Sequence, residues 1–188
     1  MRVIAGKYRS RRLKGPGTLR VRPTSDRLRE TLFNVLGPAM EDSLFVDLYA
    51  GTGAVGIEAL SRGAREAIFV ERHAGAARLL RENLDSLKIA DKDVRVIQMN
   101  VLAGLKELSA RKKMADFIFL DPPYEDENEY TVTLEFLDAS HLLAPQGLVI
   151  AEHDCKFELT DRLNRLERTR LLEQGDAALS FYRLAAAA

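Results

Sequence analysis

The sequence predicts an α/β protein with a mostly parallel seven-stranded sheet and helices on both of its faces. From residue 44 to 152, apolar runs of strand length alternate with segments that carry apolar residues at helical spacing, which is typical of a parallel sheet covered by helices. Two further strand-like runs, 166–172 and 179–184, are separated by a short polar turn that contains Gly175. They indicate an antiparallel hairpin that closes the sheet.

The elements can be placed one by one along the chain. A helix begins near Thr24, directly after Pro23, and ends at Gly37-Pro38, because proline favours the start of a helix and glycine its end. Its predicted buried stripe consists of Leu28, Leu32, Val35 and Leu36. The five strands before the hairpin are expected at residues 44–48, 67–71, 94–99, 116–121 and 147–152. Helix-spaced apolar residues between them predict three covering helices, at Leu80-Leu84-Leu87, Leu102-Leu105-Leu108 and Tyr130-Leu134-Leu137.

The net charge of zero conceals a strongly basic N-terminal segment. Residues 1–30 contain ten Lys and Arg residues against Asp26 and Glu30, a net charge of +8, so the remaining 158 residues carry −8. Apolar residues alternate with these charges, which favours a short ordered strand or hairpin. We therefore expect residues 1–40 to form a basic extension, a short strand or hairpin plus a helix, before a main domain at 41–188. A basic arm on an acidic body is typical of nucleic-acid binding.

A Gly-rich turn follows the first strand of the main domain. Gly51, Gly53 and Gly56 have the spacing G-x-G-x-x-G, which brings a helix N-terminus close to a bound nucleoside cofactor. Glu71 lies twenty residues after Gly51, at the end of the second strand, where a carboxylate can bind a ribose hydroxyl. Asp47, before the turn, would repel a pyrophosphate but suits a ligand with an ammonium and a sulfonium. The combination favours S-adenosylmethionine over NAD.

The segment Asp121-Pro122-Pro123-Tyr124 follows an apolar run that is typical of a buried strand. Two consecutive prolines fix φ and remove two N–H donors, so the Asp121 carboxylate and the Pro122 carbonyl form a rigid pair of acceptors. Such a pair suits a planar exocyclic NH₂ group, and Tyr124 offers a face on which a base can stack. The tetrapeptide alone is equally consistent with an ordinary Pro-Pro turn. Together with the predicted cofactor turn, it indicates methyl transfer to an amino nitrogen.

These features resemble class I S-adenosylmethionine-dependent methyltransferases, which have a Rossmann-like fold with a reversed last strand. Residues 2–13, 22–34 and 175–182 further resemble the RsmD family of bacterial small-subunit (16S) ribosomal RNA guanine-N2 methyltransferases. The likeness covers nearly the whole chain. It implies an enzyme that transfers the methyl of S-adenosylmethionine to the exocyclic N2 amine of a specific guanine in small-subunit ribosomal RNA. We expect the substrate to be an assembling ribosomal particle.

The resemblance also implies roles for individual residues. At Asn100 the family usually has an aspartate near the adenine amino group, and an amide oxygen can accept the same hydrogen bond. The expected cofactor-binding residues are Asp47, Gly51, Gly53, Glu71, Asn100 and Val101. The expected catalytic residues are Asp121, Pro122 and Tyr124. The basic extension supplies the expected RNA-binding residues, which are Lys7, Arg9, Arg11, Arg12 and Arg22.

The sequence leaves alternative functions open. A DNA aminomethyltransferase, acting on adenine N6 or cytosine N4, would use the same turns. DNA enzymes of that kind generally carry an added target-recognition region, and about forty residues before the first strand leave little room for one. A small-molecule methyltransferase is a second enzyme alternative. A non-catalytic nucleic-acid-binding module with the same fold is the alternative from another class.

Composition limits the remaining possibilities. A single cysteine, Cys155, excludes a disulfide framework, and the three histidines lack metal-ligand spacing, so we expect no metal. No apolar run approaches the ~20 residues of a transmembrane span, and no signal-peptide core follows the basic N-terminus. We expect a cytoplasmic monomer.

Overall fold

The computed structural model describes residues 1–15, 17, 24–123 and 126–186. Its centre is a seven-stranded sheet in the order β3-β2-β1-β4-β5-β7-β6. The strands are β1 (Leu44–Leu48), β2 (Glu66–Val70), β3 (Val94–Ile97), β4 (Ala115–Leu120), β5 (Leu143–Asp154), β6 (Leu166–Gln174) and β7 (Ala177–Leu184). Neighbours from β3 to β5 are parallel, and β7 is antiparallel to both β5 and β6. The predicted fold class, with its reversed strand, is confirmed.

The helices cover both faces of the sheet. They are α1 (Asp26–Leu36), α2 (Ala54–Ser61), α3 (Ala74–Ser86), α4 (Val101–Ala110) and α5 (Glu127–Ala139). Side chains from α1, α2 and α3 form one core cluster with alternate residues of the strands, and side chains from α4 and α5 form a second cluster on the opposite face. Among the described helices, none is both long and apolar enough to cross a membrane.

The stripe predicted for α1 is right for three of its four residues. The helix begins after Ser25, whose hydroxyl accepts a hydrogen bond from the N–H of Leu28, and it ends at Gly37. Val35 is only partly buried, because the helix turns Phe33 toward the sheet instead, where its ring stacks on Phe45 with centroids 6.0 Å apart. Leu102 of α4 is likewise only partly buried, although the sequence predicts it in the core.

The first thirteen residues form a hairpin against the helical face. Arg2 and Arg12 form an antiparallel bridge, and the N–H of Val3 donates to the carbonyl of Arg11 at 2.9 Å. Val3 and Leu13 are buried in the same core cluster as α1, α2 and α3. The hairpin is therefore packed on the sheet domain through its apolar residues, while its basic side chains stay on the outside. We call residues 1–14 the basic arm.

Candidate active site

The carboxyl ends of the parallel strands are aligned. Their last shared row crosses the sheet through Ile97, Val70, Leu48, Leu120 and Ala151. Glu71 follows this row after β2, and Asp121 follows it after β4, with the end of β1 between them. Neighbouring strands lie about 4.8 Å apart, so the backbones at these two acids are separated by roughly 10 Å. Ligands of open α/β sheets bind at this edge.

Four carboxylates share one face of the sheet at this edge. Phe45, Phe69, Phe119 and Ile150 pack in the core beneath α1, α2 and α3. Side chains alternate along a strand, so residues two positions further belong to the same face. These residues are Asp47, Glu71, Asp121 and Glu152. The sheet thus brings the predicted cofactor acids and the predicted catalytic acid to one face, and it adds Glu152.

Glu71 holds the Gly-rich turn in place. One carboxylate oxygen accepts the N–H of Gly51 at 2.7 Å, and the other accepts the N–H of His73 at 2.6 Å. Glu71 therefore joins the turn to the start of α3. Gly53 has φ 81°, and a Cβ atom there would lie 2.1 Å from a methyl of Leu80, so only glycine fits. Each Glu71 oxygen keeps a second lone pair, and its ribose contact stays a prediction.

Asp47 is buried on β1, beside the start of α2. Its side chain is 2% exposed, and it accepts a hydrogen bond from the N–H of Gly56 at 2.9 Å. Burial raises the pKa of Asp47 to about 7; the Gly56 N–H opposes the shift, and the nearby charges of Glu71 and Glu152 add to it. The carboxyl group of Asp47 therefore titrates near neutral pH. The contact with a positively charged ligand stays a prediction.

Asn100 caps α4. Its Oδ1 accepts a hydrogen bond from the N–H of Ala103 at 2.8 Å, while the residue is exposed at the edge of the sheet. The adjacent Val101 is buried against the opposite core. The sequence interpretation missed the cap, although Asn is a favoured N-cap residue. A second lone pair on the amide oxygen is consistent with the predicted adenine contact.

The turn after β4 begins with a half-buried Asp121 and a buried Pro122. Pro123 is exposed, and its carbonyl accepts the N–H of Asp126 at 2.9 Å, which leads the chain into α5. Asp121 and Pro122, the predicted acceptor pair, thus lie at the sheet edge, one strand away from the Gly-rich turn. Tyr124, the predicted stacking residue, lies outside the described residues.

Comparison with known proteins adds the family. The profile of the family described as conserved hypothetical protein 95 matches residues 1–183. The Haemophilus influenzae protein named ribosomal RNA small subunit methyltransferase D is 35% identical over 184 residues, which are 98% of this chain and 92% of that protein. This chain belongs to the RsmD family of methyltransferases.

Other members of the RsmD family have similar lengths and structures. The Bacillus subtilis protein YlbH is 36% identical over 183 residues, which are 97% of this chain and 98% of that protein. A solved structure of the Escherichia coli protein yhhF is 32% identical and superposes with a TM-score of 0.84, covering 100% of this chain and 99% of that one. Both the sequence and the fold of this RsmD-family chain thus match along their whole length.

The basic arm of this RsmD-family chain carries four of the five predicted RNA-binding residues on its outside. Lys7, Arg9, Arg11 and Arg12 are exposed. A guanidinium nitrogen of Arg11 donates to the carbonyl of Ser86 at 2.9 Å. Arg22 lies outside the described residues.

A buried carboxylate attaches the arm to α2. Glu58 is fully buried, and its two oxygens accept the backbone N–H groups of Ile4 at 2.7 Å and Ala5 at 3.0 Å. The Nε of Arg62 donates to the same group at 2.7 Å. Glu58 follows the Gly-rich turn in the sequence, so the helix that starts at the cofactor turn also holds the arm. The sequence gives no signal for this role, because Glu58 looks like an ordinary polar helix residue.

Sequence reasoning also missed Glu152 and Tyr49. Glu152 is 5% exposed, follows Ala151, which pairs with Leu120, and accepts a hydrogen bond from the hydroxyl of Thr24 at 2.8 Å. Tyr49 has a left-handed φ of 60° and turns its phenol toward α5. Within the described part of the chain, no group of His, Cys, Asp and Glu residues is arranged to hold a metal ion.

Proposed function

We propose that this protein transfers the methyl group of S-adenosylmethionine to the exocyclic N2 amine of a guanine in small-subunit ribosomal RNA. The observation that carries the proposal is that Glu71 and Asp121 directly follow the same row of the sheet and belong to the same face, on either side of the Gly-rich turn. The name of the Haemophilus influenzae relative supports small-subunit ribosomal RNA as the substrate class. The guanine N2 target rests on the resemblance and on the acceptor pair.

The residues at the edge of the sheet fit the cofactor. S-adenosylmethionine supplies the methyl group on a sulfonium, whose charge disperses during transfer. Glu71 has lone pairs left for a ribose hydroxyl, and Gly51 and Gly53 let a ligand approach the backbone closely. Asn100 and Val101 flank the position of the adenine. Asp47 accepts a hydrogen bond from the N–H of Gly56 and so supports the start of α2, directly after the turn.

The turn after β4 acts on the target amine. The lone pair of a guanine N2 amine is delocalised into the ring, so the amine is a weak nucleophile. Acceptors at Asp121 and the Pro122 carbonyl orient the two amine hydrogens and favour a tetrahedral nitrogen whose lone pair faces the methyl group. Positioning of this kind is the main catalytic contribution we assign to the protein. The proton leaves to Asp121 or to water after transfer.

The target base must leave its RNA helix before it can enter the active site. A base inside a stacked duplex cannot enter such a site, so the target nucleotide has to leave its stack. We assign the capture of the extruded base to the ring of Tyr124. The exposed basic side chains of the arm would contact phosphates and so position the RNA without selecting its sequence. We place the reaction in the cytoplasm, on an assembling particle, with a monomeric enzyme.

One experiment separates this function from its alternatives. The protein is incubated with methyl-labelled S-adenosylmethionine and, in parallel, with small-subunit ribosomal RNA, assembled small subunits and duplex DNA. The nucleosides are then separated after digestion. We expect label in N2-methylguanosine from RNA or subunits. Label in DNA adenine or cytosine, or binding of RNA without label in any substrate, would overturn the proposal.

Base analogues then test the amine directly. Once the labelled guanosine is mapped, it is replaced by inosine, which lacks the 2-amino group, or by 2-aminopurine, which keeps it. We expect inosine to abolish labelling and 2-aminopurine to retain it in part. Labelling of the inosine substrate would exclude N2 as the acceptor.

A further inference from the structure

A single buried side chain connects the basic arm to the cofactor turn. Asn83, on α3, is fully buried. Its Oδ1 accepts the N–H of Lys14 at 2.7 Å, and its Nδ2 donates to the carbonyl of Lys14 at 3.2 Å and to the carbonyl of Thr52 at 3.0 Å. One amide group therefore binds both backbone groups of an arm residue and one carbonyl of the Gly-rich turn.

The pattern of donors and acceptors requires an amide at this position. One partner of Asn83 is an N–H donor and the other two are carbonyl acceptors. This arrangement fixes the orientation of the amide, because the flipped group would place NH₂ against an N–H and oxygen against two carbonyls. An aspartate has no N–H to donate, and an apolar residue would leave three buried or partly buried backbone groups without this partner.

Both ends of this connection are held by further contacts. On the cofactor side, Thr52 lies between Gly51, whose N–H binds Glu71, and Gly53, whose N–H binds the carbonyl of Ala50 at 2.7 Å. The turn is therefore held by Glu71 and Ala50 on either side of the Thr52 carbonyl that Asn83 binds.

On the arm side, α3 makes two more contacts. The ammonium of Lys14 lies 2.8 Å from the carboxylate of Glu82, and Arg11 donates to Ser86. Those two contacts involve exposed side chains, whereas the Asn83 contacts are buried or partly buried. Exposed ion pairs contribute little to positioning. Asn83 is thus the contact on α3 that can fix the arm relative to the turn.

We propose that Asn83 is a positioning residue for methyl transfer. By holding Lys14 and Thr52 on one amide, it fixes, together with Glu58 on α2, the distance between RNA bound on the arm and the methyl group held at the turn. This inference rests on the proposed function, because it presumes that the arm binds RNA and the turn binds S-adenosylmethionine. A displacement of about 1 Å between the reacting groups can slow a reaction about 100-fold. Loss of Asn83 should therefore act on the rate of transfer more than on either binding step.

The test compares Asn83→Ala with the wild-type protein at saturating enzyme and S-adenosylmethionine, in single-turnover reactions on ribosomal RNA or subunits. We expect the transfer rate to fall about tenfold or more. The affinity for S-adenosylhomocysteine, measured by calorimetry without RNA, should change less than threefold, and so should the affinity for RNA. A saturated rate within twofold of wild type, or a loss confined to cofactor affinity, would overturn the role.

Two further variants separate positioning from folding. Lys14→Pro removes the N–H that binds Asn83 Oδ1 but leaves the bond from Asn83 to Thr52, and we expect the same loss of rate with unchanged cofactor affinity. Glu82→Gln is the matched control, because Glu82 neighbours Asn83 on α3 and the change weakens only exposed ion pairs, those with Lys14 and Arg78. We expect its rate to be within twofold of wild type. A Lys14→Pro enzyme with the wild-type rate would contradict the proposal.

Hydrogen exchange tests the connection without using activity. In Asn83→Ala, the amide of Lys14 should exchange at least about tenfold faster, while those of Ile4 and Ala5, which Glu58 holds, and those of β1 and β4 keep their wild-type rates. Faster exchange throughout the protein would mean general unfolding and would overturn a positioning role. If the wild-type protein methylates no RNA but the Lys14 amide exchanges faster in Asn83→Ala as expected, the proposed function fails and the physical connection stands.

Discussion

The phenol of Tyr49 donates a hydrogen bond to a carboxylate oxygen of Glu129 at 2.7 Å. Tyr49 starts the turn after β1, whereas Glu129 lies in the first turn of α5, directly after the turn that contains Asp121. The hydroxyl of Thr133 lies 2.8 Å from the same phenol oxygen. Burial raises the pKa of Tyr49, so the phenol stays protonated and remains a donor. This bond joins the predicted cofactor turn to the predicted amine-binding turn.

Tyr49→Phe should weaken the coupling between the predicted cofactor turn and the predicted amine-binding turn. The variant keeps the ring but loses the phenol bonds, so we expect the free energy of unfolding to fall by about 1 kcal/mol. The methyl-transfer rate should fall more than the affinity for S-adenosylhomocysteine. Urea unfolding of Tyr49→Phe, Glu129→Ala and the double variant measures the coupling between the two side chains. Strictly additive losses would show that the bond contributes nothing.

Asp121→Ala should abolish methylation and leave cofactor binding largely intact. The reason is that the partner we assign to this carboxylate is the target amine, on the far side of the Gly-rich turn from Glu71. An activity assay together with isothermal titration measures both effects. Asp126→Ala is the charge-matched control near the same turn, since the Asp126 side chain makes no capping bond, and it should keep activity within threefold. Activity of Asp121→Ala within tenfold of wild type would exclude the catalytic assignment.

Glu71→Ala should cost cofactor affinity. A lost hydrogen bond to a charged group corresponds to about 1.5–3 kcal/mol, and release of the Gly51 and His73 N–H groups adds to the loss. Titration with S-adenosylmethionine measures it, with NAD as the competing ligand. Glu66→Ala is the control at the other end of β2, where Glu66 pairs with Lys113. Unchanged binding of S-adenosylmethionine to Glu71→Ala, with NAD binding to the wild type, would show that the cofactor is misassigned.

The strands and their mostly parallel arrangement were predictable because their apolar periodicity is strong and the motifs lie at strand ends. The length of β5 was not. Its first part contains Pro145 and Gly147, which suggest a turn, yet Leu143 pairs with Ala115 before a register shift brings Leu148 opposite Phe117. An irregularity in pairing depends on the neighbouring strand and leaves no local signal.

The supporting residues of the site could not be predicted for a related reason. Asn83 binds residues 69 and 31 positions away, and Glu152 binds a residue 128 positions away. In the sequence, both look like ordinary polar positions of a helix and a strand. Their roles arise only when the arm and the start of α1 fold back on the sheet. Motif residues can be recognised from the backbone chemistry of their local sequence, whereas the roles of Asn83 and Glu152 depend on tertiary packing.

The basic arm should carry RNA affinity without carrying chemistry. Neutralised phosphates release counterions, with a slope of log K against log salt of about 0.9 per contact for a duplex and 0.7 for a single strand. Replacing Arg9, Arg11 and Arg12 together by alanine should flatten this slope by about two to three units. The lower value applies if Arg11 keeps its bond to Ser86. Cofactor affinity without RNA should not move.

A charge-matched triple variant tests whether position matters. Lys92, Lys106 and Lys112 are exposed, and Lys92 and Lys112 precede β3 and β4, at the amino edge of the sheet away from the site. Their replacement by alanine should leave the salt slope within about half a unit of wild type. Equal slope changes in both triple variants would mean that net charge, and not the arm, determines RNA binding.

Asp47→Asn should change how stability depends on pH. Burial raises the pKa of Asp47 in the folded protein to about 7, above its ordinary value of 3.8. Between these values the unfolded chain releases a proton that the folded protein keeps, so the Asp47 contribution to stability falls as pH rises from about 4 to about 7. Asparagine does not titrate and can still accept the Gly56 N–H. The stability of Asp47→Asn relative to wild type should therefore increase with pH over this window, by at most about 1.4 kcal/mol per pH unit, and level off above it.

Urea unfolding at pH 5.5, 6.5, 7.5 and 8.5 measures the difference, with the exposed Asp85→Asn as a control that should show none. Parallel pH profiles for wild type and Asp47→Asn would mean that Asp47 is already ionised in the folded protein throughout this pH range, and the raised pKa would then be wrong.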